Sequence, residues 1–417
     1  MIQKRISRVL QISTVFLCVI LGCQGTNKKQ KPSENLKEKE GIVVGANQTE
    51  AYLNLIKNKN IAIVGNNTSV IFNNNSTQPY KHLVDSLLSL NINITKIFAP
   101  EHGLRGVVDA GEIIKNGLDE QTGLPVISLY GDNNNKSSNK FKPSNEHLKD
   151  INLMIFDIQD VGVRFYTYLS TLHYIMEACA ENNIPVIVLD RPNPNGFYID
   201  GPIAQKEFKS FIGLHPVPIV YGMTIGEYAK MINGEKWLEN GVQCDLTVIP
   251  LKNYTHQSMY SLPLRPSPNL PNDKSINLYA SLCLFEGTNV SCGRGTEMQF
   301  QIFGSPDLPS DTYKFSFTPQ PNFGSKNPKN MNQECHGLDL SETEKLSSLN
   351  FSWLIDAYHA TSEKDSFFRT KSFNLLAGTD KLKEQIENGL KFKDIKESWQ
   401  KDLDAFRTIR KKYLMYP

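Results

Sequence analysis

Acids, amides, arginines and tyrosines in this 417-residue chain stand directly after short apolar runs. Ile94–Phe98 leads into Ala99-Pro100-Glu101-His102-Gly103. Leu153–Phe156 leads into Asp157, Asp160, Arg164 and Tyr166, and Pro185–Leu189 into Asp190, Arg191, Asn193 and Asn195. Ile61–Val64 precedes Gly65-Asn66-Asn67-Thr68, and Pro125–Leu129 precedes Tyr130. Paired carboxylates can protonate a glycosidic oxygen and handle the anomeric carbon. Arginine grips a carboxylate with two N–H groups, and Asn and Tyr suit sugar hydroxyls. The inventory is therefore that of a carbohydrate site. One Asp after a strand is often only a loop organiser, but five strand ends with polar groups argue for a shared rim.

Other chemistries lack their signatures. No GxGxxG or Walker A segment occurs, so no nucleotide cofactor is expected. His102, Asp157 and Asp160 supply a single imidazole without HExxH or HxH spacing, so no metal is expected either. GxSxG is absent, and no His follows the spacing of a Cys nucleophile. Two distant loops add polar groups: Glu286 to Thr296, with Thr288, Arg294 and three glycines, and the proline-rich Pro263 to Asn272, with Asn269. Both are expected to close over the rim from a second domain.

Positioning these groups on one edge requires a parallel sheet, because ligands of such sheets bind beyond the carboxyl ends of the strands. The runs at 61–64, 94–98, 125–129, 153–156 and 185–189 are nearly continuously apolar, as strands covered on both faces are. Helical patterns at Tyr80–Leu90 and Thr167–Asn182 alternate with them. The fold class is α/β: a Rossmann-like, doubly wound domain over 45–205, then a smaller mixed α/β domain over 206–417, with the site in the cleft between them. In the second half, Thr224 and Glu227 form a capping box opening a helix, Leu246–Leu251 and Gln299–Phe303 read as strands, and Ser267–Asn272 as an extended loop. Ile395, Trp399, Leu403, Phe406 and Ile409 lie near helical spacing in a tail from Phe392 to Leu414, a core stripe. Asn133–Asn145 reads as a polar surface loop.

The first residues have a different character. Lys4, Arg5 and Arg8 precede an apolar stretch ending Ile20-Leu21-Gly22-Cys23. This reads as a secretory signal over 1–22 whose end resembles a bacterial lipobox, with Cys23 as the expected lipidation site and 23–44 as a polar tether; the rival is an ordinary signal or an uncleaved anchor. Losing those three cations turns a formal +2 into −1, and 45 basic against 43 acidic residues exclude a nucleic-acid binder that relies on bulk basicity. Cys179, Cys244, Cys283, Cys292 and Cys335 would remain; an odd set without CxxC is neither a disulfide framework nor a zinc site.

Longer motifs carry a resemblance. Phe98 to Gly106, Asp109 to Glu112, Phe156 to Thr167, Asp190 to Gly196, Gly222 to Glu227, Pro266 to Pro271, Phe285 to Asn289 and Arg294 to Thr296 together resemble the DUF1343 family, whose characterised kind is the NamZ-type exo-β-N-acetylmuramidase. The resemblance runs from about residue 45 to the C-terminus. It implies a Rossmann-like domain, a second domain, and release of N-acetylmuramic acid (MurNAc) from non-reducing ends of peptidoglycan fragments such as MurNAc-GlcNAc. It also puts the catalytic glutamate at Glu101, with His102 beside it. Asp157, Asp160, Glu286 or the substrate's own acetamido group is the second participant. Asn67, Arg164, Tyr166, Asp190, Arg191, Asn193, Asn269, Thr288, Arg294 and Thr296 are expected to bind substrate, with Arg164, Arg191 or Arg294 on the lactyl carboxylate. The alternative is a non-catalytic lipoprotein that binds muropeptides. The lipobox suggests a lipid-anchored protein of the periplasm or cell envelope, on the outer membrane of a Gram-negative cell; oligomeric state stays open.

Overall fold

The computed structural model describes residues 41–73, 78–106, 116–130 and 141–417. Cys23, the leader, the tether before 41, the Asp109 to Glu112 motif and most of the 133–145 insertion lie outside the described residues.

Among the described residues twelve strands follow in chain order: β1 Ile61–Gly65, β2 Val70–Phe72, β3 Tyr80–His82, β4 Ile94–Ala99, β5 Gly117–Leu118, β6 Pro125–Ser128, β7 Leu153–Asp157, β8 Val186–Leu189, β9 Leu246–Ile249, β10 Ile302–Ser305, β11 Phe315–Phe317 and β12 Cys335–Asp339. Seven form one sheet in the order β5-β6-β4-β1-β7-β8-β9. Only the β5–β6 pairing is antiparallel. The apolar runs explain it. Successive strand residues point to opposite faces, so Ile61 and Ile63 enter one core cluster while Ala62 and Val64 enter the other. Helices Tyr168–Glu181 and Ile225–Gly234 cover the second face; helices Thr49–Ile56 and Leu83–Ser89 cover the first.

The sheet extends past residue 206, because β9 pairs with β8. The smaller part carries the antiparallel sheet β10-β12-β11 and helices including Ser352–Ala360 and Thr370–Ala377. Its Phe303, Leu354 and Leu376 join the same core cluster as Phe98 and Phe156 of the large sheet.

Some expected elements are corrected. Tyr80–Leu90 is not one helix: Tyr80–His82 pairs with Val70–Phe72, and the helix starts at Leu83. The strand expected over Gln299–Phe303 starts at Ile302, because Phe300 turns at φ 55° to give its N–H to Cys292 O. The tail splits into helices Phe392–Glu397 and Gln400–Lys411, with Ile395, Trp399, Leu403 and Phe406 buried as a core stripe. Thr224 caps Ile225–Gly234 through the reciprocal bond with Glu227.

Candidate functional site

Along the sheet, β4 and β6 lie on one side of β1, and β7, β8 and β9 on the other. The order reverses at β1, and a crevice opens there beyond the carboxyl ends. β4 ends at Ala99, so Glu101 and His102 sit on this rim. A cavity of about 810 Å³ is lined by Glu101, His102, Tyr130, Tyr166 and Thr167 from the rim, and by Asn269, Glu286, Arg294 and Phe300 from the second half of the chain. That size is usual for a small-molecule site.

Glu101 is held from two sides. Thr167 Oγ1 donates to Glu101 Oε2 at 2.7 Å. The Tyr130 hydroxyl also bonds this carboxylate, and burial together with the nearby negative charge raises the phenol's pKa. His102 is buried in a left-handed turn, φ 70°, uncommon for a side-chain-bearing residue.

The proline-rich loop is tied down onto the rim. Tyr166 OH donates to Pro266 O at 2.7 Å, and Tyr168 OH to the same oxygen at 3.3 Å. Asn67 Nδ2 reaches Arg265 O at 3.0 Å. Asn67 therefore acts on the loop and is not among the cavity-lining groups.

Glu286 and Arg294 form the opposite wall. Arg294 Nε bonds Glu286 Oε1, and the guanidinium lies 5.1 Å from the centre of the Phe300 ring. Gly293 and Gly295 flank it at φ 83° and 79°, and a side chain at Gly295 would strike Pro328 and Gln320 O. Burial would raise the Glu286 pKa, but Arg294 and Lys329 outweigh it and hold the carboxyl below its ordinary range. Lys329 itself donates to Phe285 O, Thr288 O and Val290 O at 2.8, 2.6 and 3.0 Å, fastening the loop. Burial pushes the Cys292 thiol up to about 12, which suits packing and not nucleophilic attack.

The remaining expected residues are placed elsewhere. Asp157 binds Arg191 through both oxygens, at 2.6 Å to Nε and 2.9 Å to Nη2, beneath the rim. Asp160 Oδ2 takes the Gly162 N–H at 2.7 Å and the Tyr221 hydroxyl. Asp190 accepts from Thr224 Oγ1, Gly226 N and Tyr416 OH at 2.8, 2.7 and 2.5 Å. Arg164 gives Nη1 to Pro202 O and Val217 O, and Nη2 to Leu376 O and Ala377 O. Asn193 bridges Met223 O and Asn195 N. Thr288 bonds Phe285 O, and Thr296 bonds Gly293 O. None of these eight lines the cavity. Among the described residues no group of three or more His, Cys, Asp or Glu stands together as a metal cage.

Thr167 and Tyr130, the neighbours of Glu101, were given no role from the sequence. Tyr130 had a signal, its place after a strand; Thr167 closes a quoted motif but looks like a helix start. Lys329 has no sequence signal at all.

Known proteins match along nearly the whole described chain. The N-terminal model of the exo-β-N-acetylmuramidase NamZ family covers residues 61–274 and the C-terminal model residues 277–416. The peptidoglycan β-N-acetylmuramidase NamZ of Bacillus subtilis (strain 168) is 39% identical over 390 residues, spanning 88% of this chain and 89% of that protein. Two crystal structures of DUF1343 family proteins from Bacteroides fragilis NCTC 9343 superpose with TM-scores of 0.80 and 0.75, at 47% and 28% identity. Each covers 90% of this chain and 99% of its own. The chain belongs to the NamZ exo-β-N-acetylmuramidase family.

Proposed function

We propose that this protein is an exo-acting glycoside hydrolase that removes MurNAc from the non-reducing ends of peptidoglycan fragments. One observation carries the reading: a single cavity is lined by a carboxylate, Glu101, braced by two hydroxyls, and by an arginine, Arg294, fixed through its Nε. An acid for the leaving oxygen and a receptor for an anionic sugar are what a muramidase needs.

Glu101, protonated, gives its proton to the glycosidic oxygen as the C1–O bond breaks. Glu286 is a weak nucleophile, because Arg294 and Lys329 neutralise its charge. The substrate's 2-acetamido oxygen is the better attacking group. It closes on C1, and water activated by the Glu101 carboxylate then opens the ring to free MurNAc. Arg294 spends Nε on Glu286 and keeps its two Nη groups for the lactyl carboxylate, the feature that separates muramic acid from glucosamine. Arg164 and Arg191 are less suited, since they bind four backbone carbonyls and Asp157 respectively.

The lipobox-like Ile20-Leu21-Gly22-Cys23 supports a lipid-anchored enzyme of the cell envelope, on the outer membrane facing the periplasm. Substrate there would be wall-derived saccharide. Incubation with MurNAc-GlcNAc followed by mass spectrometry tests the activity. Free MurNAc and GlcNAc, with net retention of the anomer by NMR, are expected. An uncut but bound disaccharide would instead make the protein a muropeptide-binding module.

A further inference from the structure

Asn269 is a cavity-wall residue with a fully buried side-chain oxygen that no other described residue satisfies. It is 1% exposed, and it lines the cavity. Its Nδ2 donates to Gly324 O at 2.7 Å, which fixes which end of the amide is which. The close approach depends on Gly324, at φ 94°: a side chain there would come within 3.0 Å of the Asn269 amide. Oδ1 is left buried with no partner among the described residues. A buried amide oxygen without a donor costs free energy, and this one belongs to a residue of the cavity wall, where an entering ligand can supply the donor.

The chemistry of that something is narrow. Oδ1 accepts and cannot donate. The hydroxyls of a sugar can donate or accept, so Ser267, Thr167 or Tyr166 in the same wall could satisfy them. An amide N–H can only donate. We propose that Asn269 Oδ1 accepts the N–H of the substrate's 2-acetamido group and so selects N-acetylated muramic acid. The inference rests on the proposed function and deepens it. Holding the N–H would also aim the acetamido oxygen at C1.

The test reads binding, so it does not depend on turnover. Calorimetry on the full chain compares MurNAc with its 2-deoxy analogue, which keeps the lactyl group but lacks the amide, for wild type and Asn269→Ala. Wild type should bind MurNAc at least about 10-fold more tightly, and Asn269→Ala should lose most of that preference while its affinity for the 2-deoxy analogue stays within about 3-fold. A purely structural role, pinning Gly324, would weaken both ligands equally, and that outcome overturns the inference. Asn269→Ser, with a shorter acceptor, should recover part of the preference; recovery of none with intact 2-deoxy binding would also count against it. If wild type binds neither sugar, the functional reading falls with it.

Discussion

Breaking the Asp157–Arg191 pair separates a structural role from a catalytic one. Both side chains are sealed from solvent, at 0% and 2% exposure, and Arg191 Nη2 also holds Val70 O at 3.0 Å. Asp157→Asn leaves a buried guanidinium without its countercharge, a loss of about 3–5 kcal/mol. The compact unit Gly41–Pro417 has about 380 residues. At roughly 2.1 cal/mol/K per residue its unfolding entropy is about 0.8 kcal/mol/K. The midpoint should therefore fall by roughly 4–6 °C. Replacing both partners by apolar residues, Asp157→Val with Arg191→Met, should recover much of that loss. Circular dichroism melts give the midpoints, and MurNAc release at 20 °C, well below them, gives the turnover. Asp157→Asn should keep its kcat within about 3-fold of wild type. The reasoning is refuted if the midpoint is unchanged while kcat falls about 100-fold or more, since Asp157 would then be acting on substrate.

Three further outcomes follow from the geometry. Glu101→Gln should cut kcat for MurNAc-GlcNAc by about 10²–10⁴-fold without moving the melting midpoint; near-normal turnover removes Glu101 from the chemistry. Arg294→Lys, which cannot offer a two-pronged grip, should raise KM for muramic acid glycosides by about 10- to 100-fold and leave glucosaminides little changed, and equal effects on both would exclude Arg294 as the lactyl receptor. Burial pushes the Asp160 carboxyl up to about 6, against the Tyr221 hydroxyl and the Gly162 and Val161 N–H groups. A raised folded-state pKa favours the protonated form, so its contribution is full below about 4 and is lost as pH rises through about 6. Asp160→Asn should flatten the wild-type decline in melting midpoint between about pH 4 and 6.5, and parallel curves for the two proteins would contradict this.

Much of the framework was legible because it depends on local periodicity. The unbroken apolar runs at Ile61–Val64 and Leu153–Phe156 demanded partners on both faces, and strands covered by helices supply them. The Thr224–Glu227 box is a four-residue signal and needs no distant contact. Where distant pairing decided, local patterns misled. Tyr80–His82 looked helical because Leu83, Leu87 and Leu90 continue the pattern, yet its backbone bonds are made with Val70–Phe72. Gln299 to Gln301 looked like strand, but the Phe300 N–H is claimed by Cys292 O eight residues back.

The same division runs through the site. From sequence alone, Glu101, Asp157, Asp160 and Asp190 are one class, acids following apolar strands, and the cavity lies at the end of one of those strands. Only the tertiary structure separates them. β8 runs beside β7 and delivers Arg191 to Asp157, the C-terminal Tyr416 comes back to Asp190, and Tyr221 closes on Asp160. Glu101 is instead left at a cavity wall with Thr167 and Tyr130 beside it. A carboxylate's neighbours lie up to 226 residues away along the chain, as with Tyr416 and Asp190. The sequence determines which groups reach the rim, because strand ends are set by local pattern. Which of them lines the cavity depends on long-range packing, which decides the neighbours of each carboxylate.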